Sequence, residues 1–535
     1  MTSSVVEPVE EHAPAADERV PLGAWEWARR EPGRIALEDE RGRTTTFGEL
    51  GARVNQLSRA LRKIGVTEGG VAAALVHNER EYFELILATG QIGAYALVIN
   101  WHLTPEEIIY ILRDSGAAVL FADAELGAAL LDVDDQLPAH RYSIGEQLVG
   151  WGDYAAFGAD ESTEAPENRR NGAVMGYTSG TTGRPKGVRR VLPDVSPEEG
   201  LAFNGILLSA FGLNRRDGKH LLCSPAYHAA PSGFALAALH FGQTVLIHER
   251  FVADAVLDAF ESGVTNSHMV PTHFHRLLQL PAERRASADL SGLHRIVHAG
   301  APCPPEIKKA MLDWFGPIVW EYLGATEGLV SIASPETWQE RPGTVGRPFA
   351  PDAVAIKRED GTDAAPGEEG MIYFRATLPF EYHNDPEKTA ASRLGDLVTV
   401  GDLGMMDHDG YVYLLDRRSD LIVSGGVNIY PAEVEAALLM HPSVQDVGVI
   451  GVRDEEWGKR VVAVVQVIEG VEPDEALREE LDEHARRHLP SYKRPRRYEF
   501  LDDFPRTDAG KVKRRELRDI YDPDRPPTTV VVGIR

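Results

Sequence analysis

The sequence predicts an α/β protein: a large N-terminal domain of two stacked doubly wound sheets plus a β-rich subdomain, then a small α+β C-terminal domain. Three observations carry this. Continuous apolar runs alternate with helical stretches from Thr46 to Tyr322, as in parallel sheets covered on both faces. From Met371 to Leu415 the pattern shortens to strands and turns. At 535 residues the chain is too long for one core.

Composition narrows the function classes. The chain is 43% hydrophobic and 26% charged, ordinary for a globular protein, and its net charge of -26 argues against nucleic acid or an anionic membrane as main partner. Cys223 and Cys303 are too few for a disulfide framework or a multi-cysteine metal site, which fits a reducing cytoplasm. Residues 1–20, acidic and rich in Pro and Ala, read as a disordered leader without a signal-peptide pattern. The most apolar segment, Phe83 to Ile99, is broken by Glu84, Gly90, Gln91 and Gly93, so no transmembrane span is expected.

In chain order, Thr46 and Glu49 form a capping box, and Leu50, Val54, Leu57, Leu61 and Ile64 continue at helical spacing until Gly65. A buried strand over Val71 to Val76, a helix around Glu81 to Gln91 and a strand over Ala94 to Ile99 come next. Thr104, Pro105 and Glu107 start another helix, and Ala117 to Phe121 is strand. The polar stretch Gly150 to Gly172 reads as a linker or surface excursion. Strands are expected again at Thr244 to Ile247, Thr265 to Val270, His294 to Val297 and Ile318 to Tyr322. A domain boundary is placed at DRRSD, giving a large domain over 21–416, a hinge over 417–420 and a small domain over 421–535.

The stretch YTSGTTGRPKGV, Tyr177 to Val188, suits an anion. Gly180, Gly183 and Gly187 let backbone N–H groups approach a ligand, the hydroxyls of Thr178, Ser179, Thr181 and Thr182 add donors, and Lys186 adds a compact charge. The spacing is not that of the Walker loop, because Lys186 is followed by glycine. The alternative is a flexible surface loop. Four more stretches carry site-like chemistry. EYLGATEG, Glu321 to Gly328, presents Thr326 and Glu327 at a strand's carboxyl end, with Glu327 suited to Mg²⁺. GDLG offers Asp402 for ribose hydroxyls. LDRRSDLIVSGGVNIYPAEVE offers Arg417 for sugar or phosphate and a Gly425-Gly426 turn, and PRTDAGKVKRREL offers Lys511. Singly, Asp402 could cap a turn, Arg417 could pair with Asp416 or Asp420, and Lys511 could be one more solvated lysine.

Together and in this order, these motifs closely resemble the adenylate-forming superfamily of acyl-CoA synthetases, peptide-synthetase adenylation domains and luciferases. The resemblance runs from about Trp25 to Leu517; NWHLTPEEI, HAGAPCPPEIKKAM and GTTGRPKGVRR look like bacterial fatty-acyl or aryl-acyl CoA ligases. It implies an AMP-forming acid:CoA ligase. A carboxylic acid attacks the α-phosphate of Mg·ATP, and the thiol of coenzyme A then displaces AMP. Thr178 to Lys186 would cradle the β- and γ-phosphates. Thr326 and Glu327 would meet the α-phosphate and magnesium, Asp402 the ribose, Arg417 the ribose or phosphate, and Lys511 the carboxylate and α-phosphate. Gly300, Ala301 and Pro302 with Glu321, Tyr322, Leu323 and Gly324 would line the adenine slot, and Gly324 would also border the acid.

The resemblance further implies a mobile small domain. Lys511 must withdraw before a thiol tunnel lined by Ser424, Gly425 and Gly426 opens, and Ser419 stands at the hinge where relatives usually carry Asp or Lys. Leu323 replaces a common tyrosine, losing a ring-stacking contribution of ~0.5–1.5 kcal/mol. His228 in PAYHAAP matches a gate between acid pocket and tunnel; otherwise it is a packed histidine. His268, His273, His275 and His298 lie close by in the family layout, and His273 and His298 could hydrogen-bond a polar group on the acid. The basic run HARRHLPSYKRPRR, His484 to Arg497, either meets coenzyme A phosphates or is a solvated helix end. The acid expected is medium to bulky, aryl or branched. A carrier-protein thiol, an amine or another small nucleophile is the alternative acceptor, a nucleotide-binding regulator is the competing class, and the oligomeric state is left open, with a homodimer common among such enzymes.

Overall fold

The computed structural model describes residues 22–178, 185–201, 209–350, 352–376, 378–454, 456–506 and 512–522. Both predicted capping boxes form: Thr46 and Glu49 start the helix Phe47–Lys63, and Thr104 and Glu107 start Pro105–Ser115.

Two eight-stranded sheets make the body of the large domain. The first runs, in spatial order, Phe380–Tyr382, Lys186–Arg190, Ala173–Thr178, Tyr95–Val98, Val71–Leu75, Val119–Asp123, His140–Ile144 and Gly152–Asp153. The second runs Gly328–Ala333, Val319–Ala325, Arg295–His298, Asn266–Met269, Lys219–Leu222, Thr244–Ile247, Ile35–Asp39 and Thr44–Thr46. Their strands are mainly parallel, with antiparallel pairs toward the edges. Helices Phe47–Lys63, Arg80–Gly90 and Ala229–Phe241 lie between the sheets, and Leu50, Leu57, Phe83, Leu87, Ala235 and Leu239 join residues of both in one apolar cluster. The two sheets thus share a core.

Tertiary pairing rearranges the linear reading twice. The first two strands, Ile35–Asp39 and Thr44–Thr46, join the second sheet, and Phe380–Tyr382 returns to edge the first. The stretch 150–172 is a tethered surface excursion: its carbonyls at Tyr154, Phe157, Ala159, Glu164 and Glu167 accept bonds from Arg53, Gln56, Arg59 and Arg62 of one helix.

A six-stranded sheet, from Val354–Lys357 to Val412–Arg417, forms the β-rich subdomain. Beyond it a hairpin, Ile422–Ser424 with Val427–Ile429, precedes a three-stranded sheet packed by helices Pro431–Leu439 and Glu475–His488. Exposed Ser419 lies between the last strand of the subdomain and that hairpin.

Candidate active site

The phosphate-loop motif sits on a hairpin, with Thr178 opposite Lys186; Ser179, Gly180, Thr181, Thr182 and Gly183 lie outside the described residues. Lys186 Nζ is 3.0 Å from Asp385 Oδ2. Asp385 also caps the helix Pro386–Ala391, accepting from the Lys388 N–H, and these contacts hold its carboxyl below the usual range. The adjoining strand supplies Tyr382, whose hydroxyl donates to Glu327 Oε1 at 2.8 Å. Burial and the Glu327 charge push the Tyr382 phenol up, so it remains a donor. Arg190 donates to the Thr326 carbonyl at 3.0 Å, bringing the hairpin against the Thr326-Glu327 turn.

Asp402 and Arg417 face each other across an antiparallel pair, with Arg417 Nε 3.3 Å from Asp402 Oδ1. The neighbouring acids serve the small domain instead. Asp420 meets Arg514 and Arg518, each at 3.2 Å, and Asp416 accepts from the Ala432 N–H.

His228 immediately precedes the helix Ala229–Phe241. Its loop is pinned from the first sheet: buried Asn78 donates to Ser224 O and His248 O and accepts from Ala226 N–H, and Tyr82 donates to Ala226 O. Farther along the helix, Phe234 stacks on His268 with centroids 4.9 Å apart and lies 6.0 Å from the Tyr322 ring; Phe211 closes the group at 5.6 Å from both Phe234 and Tyr322. Tyr322 OH is 3.3 Å from His268 Nε2. Gly324 lies over the edge of this ring, where a Cβ would come within 3.1 Å of Tyr322 Cε2. Burial drives His268 down to about 3, so the ring is neutral near pH 7.

The AMP-binding enzyme profile matches residues 24–380, and the AMP-binding enzyme C-terminal domain matches 433–511. The chain belongs to the AMP-binding enzyme family. It is 36% identical to the 2-succinylbenzoate–CoA ligase of Geobacillus kaustophilus (91% of this chain, 95% of the relative) and 35% identical to a feruloyl-CoA synthase of an Amycolatopsis species (93% and 98%). Among solved structures, an anthranilate CoA ligase in complex with anthranoyl-AMP superposes with a TM-score of 0.81 at 26% identity, covering 94% of this chain and 98% of that one. The o-succinylbenzoate coenzyme A synthetase of Bacillus subtilis, in complex with ATP and magnesium, gives 0.77 at 29% identity, covering 93% and 99%. The protein is therefore an adenylate-forming acid–thiol ligase.

In this AMP-binding enzyme Gly300 has a positive φ of 93° directly after the strand Arg295–His298, and Ala301 and Pro302 lead from it into the helix Pro305–Phe315. Leu323 is packed among Val188, Val330 and Val345. Three residues expected at the site have other partners, Glu321 and His298 on strands and His273 on the helix Pro271–Leu278. The Glu321 carboxylate is engaged by Lys308 Nζ at 3.0 Å. His298, fully buried, faces the same way, against Phe274 and Lys308, and His273 stacks on Phe251 at 3.9 Å. Neither histidine joins the Phe234–Tyr322 cluster; His268 does. Likewise Tyr322 belongs to that cluster.

In the small domain, Gly425 and Gly426 take positive φ at the hairpin turn beside Ser424, and the Gly425 N–H donates to Trp457 O. Lys511 lies outside the described residues. The basic run is largely paired internally: Lys493 holds Glu433, Arg497 meets Glu499, Arg486 meets Asp482 and His484 bonds Ala437 O. That arrangement supports the solvated-helix-end reading. The large and small domains touch through His275 Nε2 and Gln445 O at 2.9 Å and through Tyr430 and Glu369.

Sequence reasoning missed the segment FEYHNDPEK, which brings Tyr382 to Glu327 and Asp385 to Lys186, the latter across 199 residues. The available signal was Asp385-Pro386, an N-cap followed by proline at the first helical position. It marks a helix but not its destination.

Proposed function

We propose that this protein activates an aromatic carboxylic acid bearing a hydrogen-bonding ring substituent, forming the acyl-adenylate and then the coenzyme A thioester. The observation that carries the acid class is the aromatic cluster of Phe211, Phe234, His268 and Tyr322. Its rings suit contact with a flat acid, and its Tyr322–His268 pair offers donor and acceptor capacity in an apolar setting, where such groups discriminate strongly. The cluster's Tyr322 shares a strand with Gly324, and that strand leads into Thr326 and Glu327. The 2-succinylbenzoate, feruloyl and anthranilate ligases act on aromatic acids, which supports the same reading.

The hairpin hydroxyls and Lys186 hold the β- and γ-phosphates, Thr326 the α-phosphate, Asp402 and Arg417 the ribose, and Gly300 to Pro302 with Leu323 the adenine. Lys511 bridges carboxylate and α-phosphate in the first step and gives way to Ser424, Gly425 and Gly426 in the second, with His228 at the junction of acid and thiol and Ser419 at the hinge. Glu327 fits a magnesium site: its carboxylate is buried and oriented by Tyr382. Magnesium, when bound, supplies charge neutralisation at the phosphates, with phosphate and water oxygens completing its shell. No helix among the described residues is long and apolar enough to cross a membrane.

The test is ATP–pyrophosphate exchange over a panel of plain, hydroxy- and amino-substituted benzoates and aliphatic acids, with product mass spectrometry with and without coenzyme A. Exchange is expected to be fastest with substituted aryl acids, giving a coenzyme A thioester. Preference for aliphatic acids refutes the acid class, and a product formed on another nucleophile but not on coenzyme A refutes the acceptor.

A further inference from the structure

Lys308 lies on the helix Pro305–Phe315 and is 0% exposed, an unusual place for an ammonium group. Its Nζ is 3.0 Å from Glu321 Oε2 and 2.5 Å from His298 Nε2. Glu321 is 5% exposed and His298 0%. The two partners stand directly opposite each other on parallel neighbouring strands.

The loops into which the two partner strands run give the cluster its meaning. His298 is the last residue of its strand and opens onto Gly300, Ala301 and Pro302; Glu321 leads through Gly324 to Thr326 and Glu327. Lys308 belongs to the helix that leaves the first of these loops. One cation thus fastens together the base of the adenine loop, the base of the phosphate turn and the helix that returns from the adenine loop. Burial and the nearby ammonium drive the His298 imidazole well down, so it is neutral and its Nε2 accepts from Lys308.

A buried ion pair is a poor way to gain stability, because desolvation of both charges offsets their attraction, and apolar side chains of similar volume usually serve as well. Its usefulness lies in direction: an ammonium bonded to two fixed partners sets a spacing that apolar packing sets loosely. We propose that Lys308 is a positioning residue for adenylation, fixing the separation of the adenine loop and the Thr326-Glu327 turn through Glu321 and His298. The proposal rests on the adenylate-forming reading of the site.

The experiment compares the wild type with Lys308→Met/Glu321→Leu, which removes both charges together. The double variant is expected to fold with an unchanged denaturation midpoint. Its exchange kcat should fall by up to ~10²-fold, the effect of a misplacement of about 1 Å, and its KM for ATP should rise while KM for the acid moves by less than about twofold. Discrimination between ATP and GTP should narrow, a readout that general loosening would not shift selectively. Unchanged kcat, ATP KM and nucleotide preference in a folded double variant overturn the proposal, as does a double variant that fails to fold, since the pair would then serve stability. If the wild type shows no exchange with any acid, the adenylation reading itself fails; exchange in the wild type with an unaltered variant removes only the clamp.

Discussion

The two faces of the second sheet put chemically similar residues to opposite uses. On the face covered by the helix Ala229–Phe241, His268 and Tyr322 form a neutral hydrogen-bonding pair among aromatic rings. On the other face, His298 and Glu321 close around a buried ammonium. The strands are the same, and successive residues point to opposite sides. Val297 therefore lies with Phe234 and Phe211 while His298 lies with Phe274, and Tyr322 lies with His268 while Glu321 lies with Lys308. The neutral face can exchange hydrogen-bond partners at little cost; the charged face cannot lose one charge without stranding the other.

That contrast ranks the expected effects. The largest falls on the charged face: Glu321→Leu alone leaves Lys308 buried without its counter-ion and should cost about 3–5 kcal/mol in chemical denaturation. A loss below about 1 kcal/mol would mean that the ammonium deprotonates or finds water.

The neutral face should reveal itself through pH. His268 titrates at about 3 in the folded protein against 6.5 ordinarily, because burial disfavours the imidazolium. The unfolded chain therefore binds the proton first as pH falls. The stability contribution is intact above pH 6.5 and is lost progressively toward pH 3, amounting to about 2 kcal/mol by pH 5. His268→Phe should flatten the fall in unfolding free energy between those values. An unaltered slope would mean that His268 is not the group responsible.

The smallest effect concerns selectivity. Tyr322→Phe removes one hydroxyl from the cluster and should cost about 1 kcal/mol, roughly fivefold in kcat/KM, with ring-substituted acids. Plain benzoates should be affected much less. Equal losses on both would show that the hydroxyl only orders the cluster.

Legibility in the sequence differed in the same way. Helix starts were readable because a capping box is local: Thr46 needs only Glu49, and Thr104 only Glu107. The hairpin motif was readable as a candidate phosphate loop because backbone cradles require glycine and hydroxyl residues in one short run. The facing of His298, Glu321 and Tyr322 was not, because the short strands here give too few alternations to say which residue turns to which neighbouring layer. The segment from Phe380 to Ala391 was also hidden: its partners Lys186 and Glu327 are distant, and nothing local records them.

By itself the sequence determined the family and the order of elements, since these depend on residue type and short-range spacing. Only the tertiary structure decided that Tyr382 and Asp385 hold Glu327 and Lys186, that His268 rather than His298 joins the Phe234–Tyr322 cluster, and that Lys308 lies buried between two neighbouring strands. Each depends on which strands pair and in what register, and a shift of one residue would exchange the two faces of the sheet.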